Sequence, residues 1–287
     1  MIADVSRPSR IGPGMKNGGT KLNDQSVKDV WELGDAYEVF MGRWSRLVAK
    51  EFVQWVAVPS GRKWLDVGCG TGILTQSILE HADPTSVRGV DQAPGFVTFA
   101  EKKIRDSRAS FGTVPADSLT LGTGTYDSVV SGLVLNFIPN PDQALSVMRH
   151  STVAGGCVAA YVWDYADGMQ MLRLFWDAAA ALDRNASRLD EGKRFPLCNP
   201  DSLRDLFVAG GLNGVEVRSI DVRTQFVDFD DFWSPFLSGQ GPAPSYVASL
   251  SQDQRSNLRE SLRLELSPAS DERISLTARA WAVKGVA

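Results

Sequence analysis

The chain has 287 residues, of which 43% are hydrophobic, and a formal net charge of −4. This size suits one large α/β domain with an elaboration, because single cores rarely grow beyond about 250–300 residues. Net acidity without long basic runs argues against a nucleic-acid or acidic-membrane surface, and no apolar run approaches the roughly 18 residues needed to span a bilayer. We therefore expect neither nucleic acid nor a membrane as a partner, and the oligomeric state stays open.

The cysteine and histidine content bears on compartment and metal binding. Cys69, Cys157 and Cys198 are odd in number and far apart, which indicates a reducing compartment rather than a disulfide framework. The two histidines, His81 and His150, are too few for a zinc site with such scattered cysteines. The sequence therefore predicts a cytoplasmic protein without a metal site.

The N-terminal part of the chain divides into two regions. Residues 1–27 are polar and rich in glycine, which predicts a flexible arm, and residues 28–287 are predicted to form the domain itself. From Val30, aromatic and aliphatic residues recur at steps of three and four, which predicts a helix packed on the core.

Residues 65–72 read Leu-Asp-Val-Gly-Cys-Gly-Thr-Gly, with a glycine at every second position after Val67. An apolar run precedes this octet, and apolar residues at helical spacing follow it, so the pattern is that of a strand, a turn and a helix. Glycine tolerates unusual backbone angles and has no Cβ to block a ligand, and the helix start offers unpaired N–H groups. We expect a small polar ligand on this turn.

The glycine spacing separates two ligand classes. A dinucleotide motif, G-x-G-x-x-G, would need its third glycine at Ile73, so an oxidoreductase is disfavoured. The pattern present, with Asp66 two residues before the first glycine, resembles motif I of the class I S-adenosylmethionine-dependent methyltransferases. A generic glycine turn between a strand and a helix is the alternative interpretation. The resemblance implies S-adenosylmethionine as the cofactor, bound at Asp66, Gly68, Cys69, Gly70 and Gly72.

Two further acids follow, each at or just after the end of a predicted strand. The segment Ser86–Asp91 ends in an acid whose carboxylate, at the tip of a second strand, can accept both ribose hydroxyls of a nucleoside. Gln92 is beside it. A third strand, around 109–113, leads to Asp117, and the resemblance implies that an acid there reaches the adenine amine. Ala116 and Ser118 flank that acid and are predicted to read the ring.

A fourth strand contains Val129 and Val130, and Gly132 and Leu133 follow it. The resemblance places the methionine end of the cofactor, and often the acceptor, beside this loop. Methyltransferases that modify adenine in nucleic acid tend to carry Asn/Asp-Pro-Pro-Tyr here, whereas residues 136–139 read Asn-Phe-Ile-Pro. This departure disfavours a nucleic-acid substrate. A helix is predicted near Pro141–His150.

Residues 37–46 resemble a stretch that precedes motif I in the ubiquinone/menaquinone-methyltransferase-like, or type 11, group of small-molecule methyltransferases. The resemblance implies that Tyr37, Arg43 and Trp44 close over the cofactor. Arg43 is predicted either to pair with the cofactor's carboxylate through a forked hydrogen bond or to be a solvated arginine.

The remaining elements complete a fold. Apolar runs and helical periodicities predict strands at 156–163, 214–226 and 274–284 and helices at 169–184, 200–209 and 251–266. Together they predict a Rossmann-like α/β fold: a seven-stranded, mostly parallel sheet with helices on both faces and an antiparallel last strand. Substrate-cap elements are expected at about 165–200 and 228–268.

The acceptor is predicted from aromatic residues. The segment Phe229–Tyr246 combines aromatics with prolines and glycines, which predicts a loop acting as a lid, and Trp163, Tyr165 and Trp176 are near the expected ligand edge. Since ligand pockets are mostly apolar with a few polar groups, we expect a small aromatic or apolar metabolite as the methyl acceptor.

The sequence nominates no clear general base. Asp164 and Tyr165 follow the fifth strand and are candidates for contact with the acceptor. His150, at the end of a helix, is either a candidate or a structural helix-end group. The predicted function is S-adenosylmethionine-dependent methyl transfer to a small metabolite. The alternative is a non-catalytic S-adenosylmethionine-binding sensor or partner subunit.

Overall fold

A computed structural model describes residues 38–116, 118, 122–239, 241–266 and 273–287. These residues form one seven-stranded sheet in the order β3-β2-β1-β4-β5-β7-β6. The strands are β1 Lys63–Val67, β2 Ser86–Asp91, β3 Ala109–Thr113, β4 Tyr126–Gly132, β5 Thr152–Trp163, β6 Asn213–Phe226 and β7 Ile274–Val286. Strands β1 to β5 pair in parallel, and β7 is antiparallel to both β5 and β6. The predicted fold class is confirmed.

Helices surround this sheet. They are α1 Arg43–Val56, α2 Ile73–His81, α3 Pro94–Lys103, α4 Pro141–Ser151, α5 Gln170–Leu182, α6 Glu191–Arg194, α7 Pro200–Ala209, α8 Phe229–Trp233, α9 Pro242–Ser249 and α10 Gln252–Glu265. Local chemistry sets several of these boundaries. Asn140 and Asn199 accept hydrogen bonds from the first turns of α4 and α7, and each is followed by a proline at the first helical position. Ser251 forms a capping box at the start of α10.

The inner strand β5 is buried along its second half, whereas the edge strand β6 alternates between buried and exposed residues. Residues 158–163 of β5 are buried on both faces, as the continuous apolar run predicts. In β6, which is an edge strand, alternate residues from Ile220 to Phe226 face the core and the residues between them are exposed. The core therefore lies between the central strands and the helices on either face.

One predicted element is wrong. Within its described residues, the segment Phe229–Tyr246, much of which was predicted to be loop, contains α8, a 3₁₀ turn at Ser234–Leu237 and most of α9. Asp228 caps α8 by accepting a hydrogen bond from the Asp231 N–H, and Pro242 stands in the first turn of α9. Proline starts a helix at this position instead of breaking it, because the N–H that it lacks has no helical partner there.

Some predictions fall beyond the described part of the chain. The arm at residues 1–27, Tyr37 and Asp117 lie outside the described residues. Within the described ranges, no helix is long and apolar enough to cross a bilayer.

Candidate functional site

A cavity of about 200 Å³ lies at the carboxyl edge of the parallel strands. Its walls come from the turn after β1, the tips of β2, β4 and β5, and the first turns of α1 and α6. Ligands of open α/β sheets bind outside the carboxyl ends of the strands, so the cavity lies at the position expected for a ligand-binding site in this fold.

The glycine turn after β1 combines tight packing with an open face. Gly68, Gly70 and Gly72 all have positive φ angles, of +74°, +50° and +82°, which favour glycine. A Cβ would lie 2.5 Å from Val134 at Gly68 and 2.6 Å from Ile104 at Gly72. At Gly70, which lines the cavity, an added Cβ would meet no described atom within 4 Å. The turn therefore leaves room for a ligand at Gly70 and is fixed by packing on either side.

Asp66 lies behind this turn rather than in the cavity. Its side chain is fully buried, and Oδ2 accepts a hydrogen bond of 2.7 Å from Thr75 Oγ1, which joins the end of β1 to α2. Burial raises the pKa of Asp66 to about 7; the Thr75 hydrogen bond opposes this rise, and the charge of Asp91 adds to it. Asp66 thus supports the turn from below and does not line the cavity, and its contact with the cofactor stays a prediction.

Asp91, at the tip of β2, lines the cavity. Its Oδ2 accepts a hydrogen bond from the Gly70 N–H at 3.0 Å, and its Oδ1 accepts one from the Ala93 N–H at 2.9 Å. Burial raises the pKa of Asp91, and backbone hydrogen bonds from Ala93, Gly70 and Gln92 lower it. Each carboxylate oxygen can accept a further hydrogen bond, so Asp91 is placed to receive hydroxyl groups of a ligand.

An apolar slot adjoins Asp91. Phe96, Val114 and Ala116 line this part of the cavity, together with Cys69 and the neighbouring Gln92. Burial raises the pKa of the Cys69 thiol, and the charges of nearby acids raise it further, so the thiol stays neutral.

Ser118 does not line the cavity; its N–H donates to the Pro115 carbonyl. Its contact with the cofactor stays a prediction. Gly72 is likewise packed behind the turn and does not line the cavity.

The tip of β4 carries backbone strain. Leu133, which lines the cavity beside Gly132, has a φ of +62°, and for a residue with a Cβ such a conformation costs about 1–3 kcal/mol. The Leu133 N–H donates to the Tyr161 carbonyl at 2.8 Å, which holds this conformation. A Cβ at Gly132 would lie 2.6 Å from the Tyr161 hydroxyl oxygen. The chain therefore passes close to β5 and presents Leu133 to the cavity.

Helix α1 and the turn before it contribute Met41 and Ser45, which the sequence did not nominate. Arg43 and Trp44 do not line the cavity, so their closure over the cofactor stays a prediction. Arg43 Nη1 pairs with Asp231 at 3.1 Å, and its guanidinium lies over the Trp44 ring at 4.7 Å. Met41 and Ser45 are four residues apart and share a helical face, whereas Arg43 and Trp44 point elsewhere.

The segment before α1 is tied to the glycine turn. Glu38 Oε1 accepts hydrogen bonds from Thr71 Oγ1 at 2.8 Å and from Lys103 Nζ at 3.0 Å, and Glu38 also pairs with Arg46. Burial, and then the charge of Arg46, lowers the pKa of Lys103 to about 8. Since Thr71 lines the cavity, these bonds hold the turn at Glu38–Gly42 beside its opening.

The other end of the cavity lies at β4 and β5 and is apolar. Phe137, Ile138, Trp163, Tyr165 and Leu172 line it. Trp163 and Tyr165, which the sequence analysis placed near the ligand edge, are among these residues, whereas Trp176 is not.

Asp164 and His150 do not line the cavity, and contact of either with the acceptor stays a prediction. Asp164 points into the turn that follows β5: its Oδ1 accepts from the Asp167 N–H at 3.2 Å, and its Oδ2 lies 3.7 Å from Arg279 Nη1. His150 ends α4 at the opposite edge of the sheet, where its Nε2 is 2.7 Å from Thr123 Oγ1. A residue next to a strand tip in sequence therefore need not face the cavity.

Glu191 is a further residue that sequence reasoning missed. It begins α6, is 2% exposed and lines the apolar end of the cavity. Its carboxylate accepts a hydrogen bond from Trp176 Nε1. Burial raises the pKa of Glu191 to about 7. Hydrogen bonds from its own N–H and from Trp176 oppose this rise, as does the charge of Arg173, whereas the charge of Asp190 adds to it. Only the fold, which brings α6 to the tip of β5, reveals this placement.

The aromatics of the predicted lid lie behind α5 and not in the cavity. Phe236 stacks on Phe175 with ring centroids 4.5 Å apart, and Tyr246 lies 5.8 Å from Trp176. Phe232 is fully buried against Phe236. These aromatics therefore support the helix that carries Leu172 and Trp176, and contact of this segment with the ligand stays a prediction.

Within the described residues, no three His, Cys, Asp or Glu side chains lie close enough together to hold a metal ion.

A model of the methyltransferase domain family matches residues 65–158. The matched region runs from the end of β1 into β5 and includes the glycine turn, Asp91 and Leu133.

Two curated relatives extend this similarity. Malonyl-[acyl-carrier protein] O-methyltransferase of Acetivibrio thermocellus is 24% identical over 176 residues, which is 59% of this chain and 59% of that protein. Ubiquinone biosynthesis O-methyltransferase of Methylococcus capsulatus is 28% identical over 111 residues, which is 38% of this chain and 46% of that protein. The chain thus spans less than two thirds of the length of either relative.

Among solved structures, phosphoethanolamine N-methyltransferase 2 of Haemonchus contortus, in complex with phosphomonomethylethanolamine and S-adenosylhomocysteine, has a TM-score of 0.56. It is 17% identical, and the match covers 88% of this chain and 56% of that one. At this identity the likeness supports the fold.

Proposed function

We propose, on the premise that residues 65–158 form a class I S-adenosylmethionine-dependent methyltransferase domain, that this chain transfers a methyl group to a small, largely apolar metabolite. One observation carries the proposal. A single cavity joins the glycine turn and Asp91 at one end to the apolar walls at the tips of β4 and β5 at the other.

The residues at the first end fit the cofactor. The open face of Gly70 leaves room for it, and the buried carboxylate of Asp91 accepts the ribose hydroxyls. Phe96 and Ala116 border the slot for the adenine ring. Asp117 and Tyr37 stay predictions for the adenine amine and for closure over the cofactor.

S-adenosylmethionine, when bound, supplies a methyl group that its sulfonium charge already activates. The chain contributes by holding the methyl donor and the acceptor in position. The strained Leu133, with Met41 and Ser45, encloses the middle of the cavity, and the walls exclude water from it. Holding two reactants in alignment lowers the barrier by about 7–11 kcal/mol.

The second end of the cavity suits a small acceptor. Phe137, Trp163 and Leu172 offer apolar surface, and Tyr165 adds an aromatic ring with a polar end. The relatives named for ubiquinone biosynthesis and for malonyl-acyl carrier protein act, by their names, on a metabolite and on a carrier-bound acid. We infer an aromatic or apolar metabolite here, with no nucleic-acid substrate, and a cytoplasmic location for a protein with three free thiols.

A panel assay that follows S-adenosylhomocysteine release tests the proposal. Turnover is expected on phenols, quinols or similar small molecules, and none on RNA or protein. Turnover on RNA or protein alone would contradict it. Binding of the cofactor without turnover on any acceptor would favour the non-catalytic sensor or partner subunit instead.

A further inference from the structure

We propose that Glu191 is the general base of this site, that it takes the proton from a hydroxyl group of the acceptor, and that the reaction is therefore an O-methylation of an aromatic or apolar alcohol, phenol or enol. This inference rests on the proposed methyl transfer and names its acceptor class.

The first support is the way in which the fold fixes Glu191. A Cβ at Gly192 would lie 2.9 Å from the Ala166 Cα and 3.0 Å from the Tyr165 carbonyl oxygen. Glycine therefore lets the first turn of α6 approach the chain just after β5. Asp190 caps this turn, since its Oδ1 accepts from the Gly192 N–H at 2.9 Å. The Glu191 carboxylate is thereby held at the tip of β5.

The second support is the environment of the carboxylate. From α5, Trp176 donates a hydrogen bond to it, and Arg173 pairs with Asp190 through a bond of 3.0 Å. Cys198, whose pKa burial raises, also faces this acid, and the charge of Glu191 contributes to that rise. Arg173 is thus paired with Asp190, and its charge opposes part of the rise in the pKa of Glu191.

The third support is its acidity. Burial brings the pKa of Glu191 to about 7, close to the pH at which a general base works best, because the group is then both available as carboxylate and basic enough to accept a proton. Asp91, the other acid that lines the cavity, is at the opposite end and is occupied by the Gly70 and Ala93 N–H groups.

Charge distinguishes a hydroxyl from the other acceptor groups. A methyl sulfonium donor is cationic, so an ammonium acceptor would place a second positive charge in the same buried cavity. A carboxylate acceptor would carry no proton to remove at neutral pH and would repel ionised Glu191. A neutral hydroxyl avoids both costs and gives Glu191 a proton to accept.

The step balances as follows. A lone pair of the acceptor oxygen forms the new O–CH₃ bond while the S–CH₃ bond of the methyl sulfonium breaks and its electron pair stays on sulfur. The hydroxyl proton passes to the Glu191 carboxylate, which later releases it to solvent. One cation and one carboxylate are thereby converted into a neutral thioether and a neutral acid.

Binding measurements test the assignment without turnover. We would titrate phenol, anisole and aniline, and the 1-naphthyl members of the same three classes, into protein saturated with S-adenosylhomocysteine. The proteins are wild type, Glu191→Gln, and Asp177→Asn as a matched control, because Asp177 is an exposed acid one residue from Trp176 on α5. Calorimetry of S-adenosylhomocysteine binding shows in each case whether the fold is intact and whether the end of the cavity formed by the glycine turn and Asp91 still binds the cofactor product.

Wild type and Asp177→Asn are expected to bind the hydroxyl compound about ten- to a hundredfold more tightly than its methyl ether, which corresponds to one hydrogen bond to a charged group. Glu191→Gln should lose most of that preference and keep its affinity for S-adenosylhomocysteine. In wild type and in Asp177→Asn, but not in Glu191→Gln, the preference should grow as the pH rises through about 7 and the carboxylate forms.

The outcomes separate the two proposals. Failure of wild type to bind S-adenosylhomocysteine would overturn the proposed function. Binding of S-adenosylhomocysteine with no preference for any hydroxyl compound, including no binding of either phenol, would overturn the Glu191 assignment alone. So would a preference for the amines, or a hydroxyl preference that is unchanged in Glu191→Gln or insensitive to pH in wild type.

Discussion

Asp66 and Glu191 are both buried carboxyls, and burial raises the pKa of each to about 7. Asp66 lies beneath the glycine turn, bonded to Thr75, and does not reach the cavity. Glu191 is bonded to Trp176 and opens on the cavity. The difference teaches that a raised pKa marks an acid as buried, whereas access to the ligand makes it available for chemistry.

The two halves of the site also differ in how they are built. The cofactor half comes from short segments that each join a strand to the next helix, such as residues 67–73. The acceptor half is assembled from α5, α6 and the tip of β5, and the aromatic cluster of Phe232, Phe236 and Tyr246 supports it from behind. The first half depends on backbone conformation, and the second depends on tertiary packing.

The largest effect is expected at the glycine turn. Gly70→Val should abolish S-adenosylhomocysteine binding, because the new side chain enters the cavity at a φ of +50°. Gly124→Val is the matched control: Gly124 has a φ of +52°, meets no described atom within 4 Å and does not line the cavity. Calorimetry should show binding lost in the first variant only. Equal affinity in both variants would place the ligand away from Gly70.

The next effect concerns the packing of the acceptor half. Phe236→Ala should lower the free energy of unfolding by about 3–5 kcal/mol, because Phe236 is fully buried and stacks on Phe175. Leu237→Ala, at the exposed neighbouring residue, should change it by less than about 0.5 kcal/mol. Denaturant titration measures both. The folded Phe236 variant should still bind S-adenosylhomocysteine, and a selective loss of that binding would show that the halves are coupled.

A smaller effect is expected at Asp91. Asp91→Ala should weaken S-adenosylhomocysteine binding by about 1.5–3 kcal/mol, since hydrogen bonds to a charged group are lost. Asp205→Ala, at an exposed acid on α7, serves as the control in the same calorimetric titration. An unchanged dissociation constant in a folded Asp91 variant would remove this residue from the site.

The smallest effect is expected in the pH dependence of stability, and it should be similar for the two buried acids, Glu191 and Asp66. The folded state keeps a proton on Glu191 up to a pH of about 7, whereas the unfolded state releases it near the ordinary value of 4.5. Stability should therefore fall as the pH rises through this window, with a slope of up to about 1.4 kcal/mol per pH unit from this group.

Both Glu191→Gln and Asp66→Asn should reduce that slope, as unfolding experiments at several pH values would show. Asp66 contributes over a window that begins at its ordinary value of 3.8 and ends at about 7. A slope unchanged by either substitution would mean that the carboxyl concerned is ionised in the folded protein throughout this range.

The sequence predicts several residues that line the cavity, for a physical reason. Asp91 ends a strand, Gly70, Ala116 and Leu133 come shortly after strands, and the carboxyl ends of parallel strands meet at one edge, so local order along the chain translates into proximity. The bounds of β2 and β3 are also those predicted, because turn residues and short apolar runs delimit them.

The acceptor half could not be predicted in the same way. The direction of Arg43 depends on Asp231, which is 188 residues away in the sequence. Asp164 turns away to bond the Asp167 N–H. Glu191 lies in a four-residue helix without a recognisable motif, and only its packing against the chain after β5 places it in the cavity.

Competitive calorimetry with S-adenosylhomocysteine and NAD tests the central claim most directly, because the claim is that the glycine turn and Asp91 bind the nucleoside of a methyl donor. The account predicts that wild type binds S-adenosylhomocysteine in the micromolar range, about −8 kcal/mol at 1 μM, and that NAD does not bind comparably. Binding of NAD without binding of S-adenosylhomocysteine would contradict it.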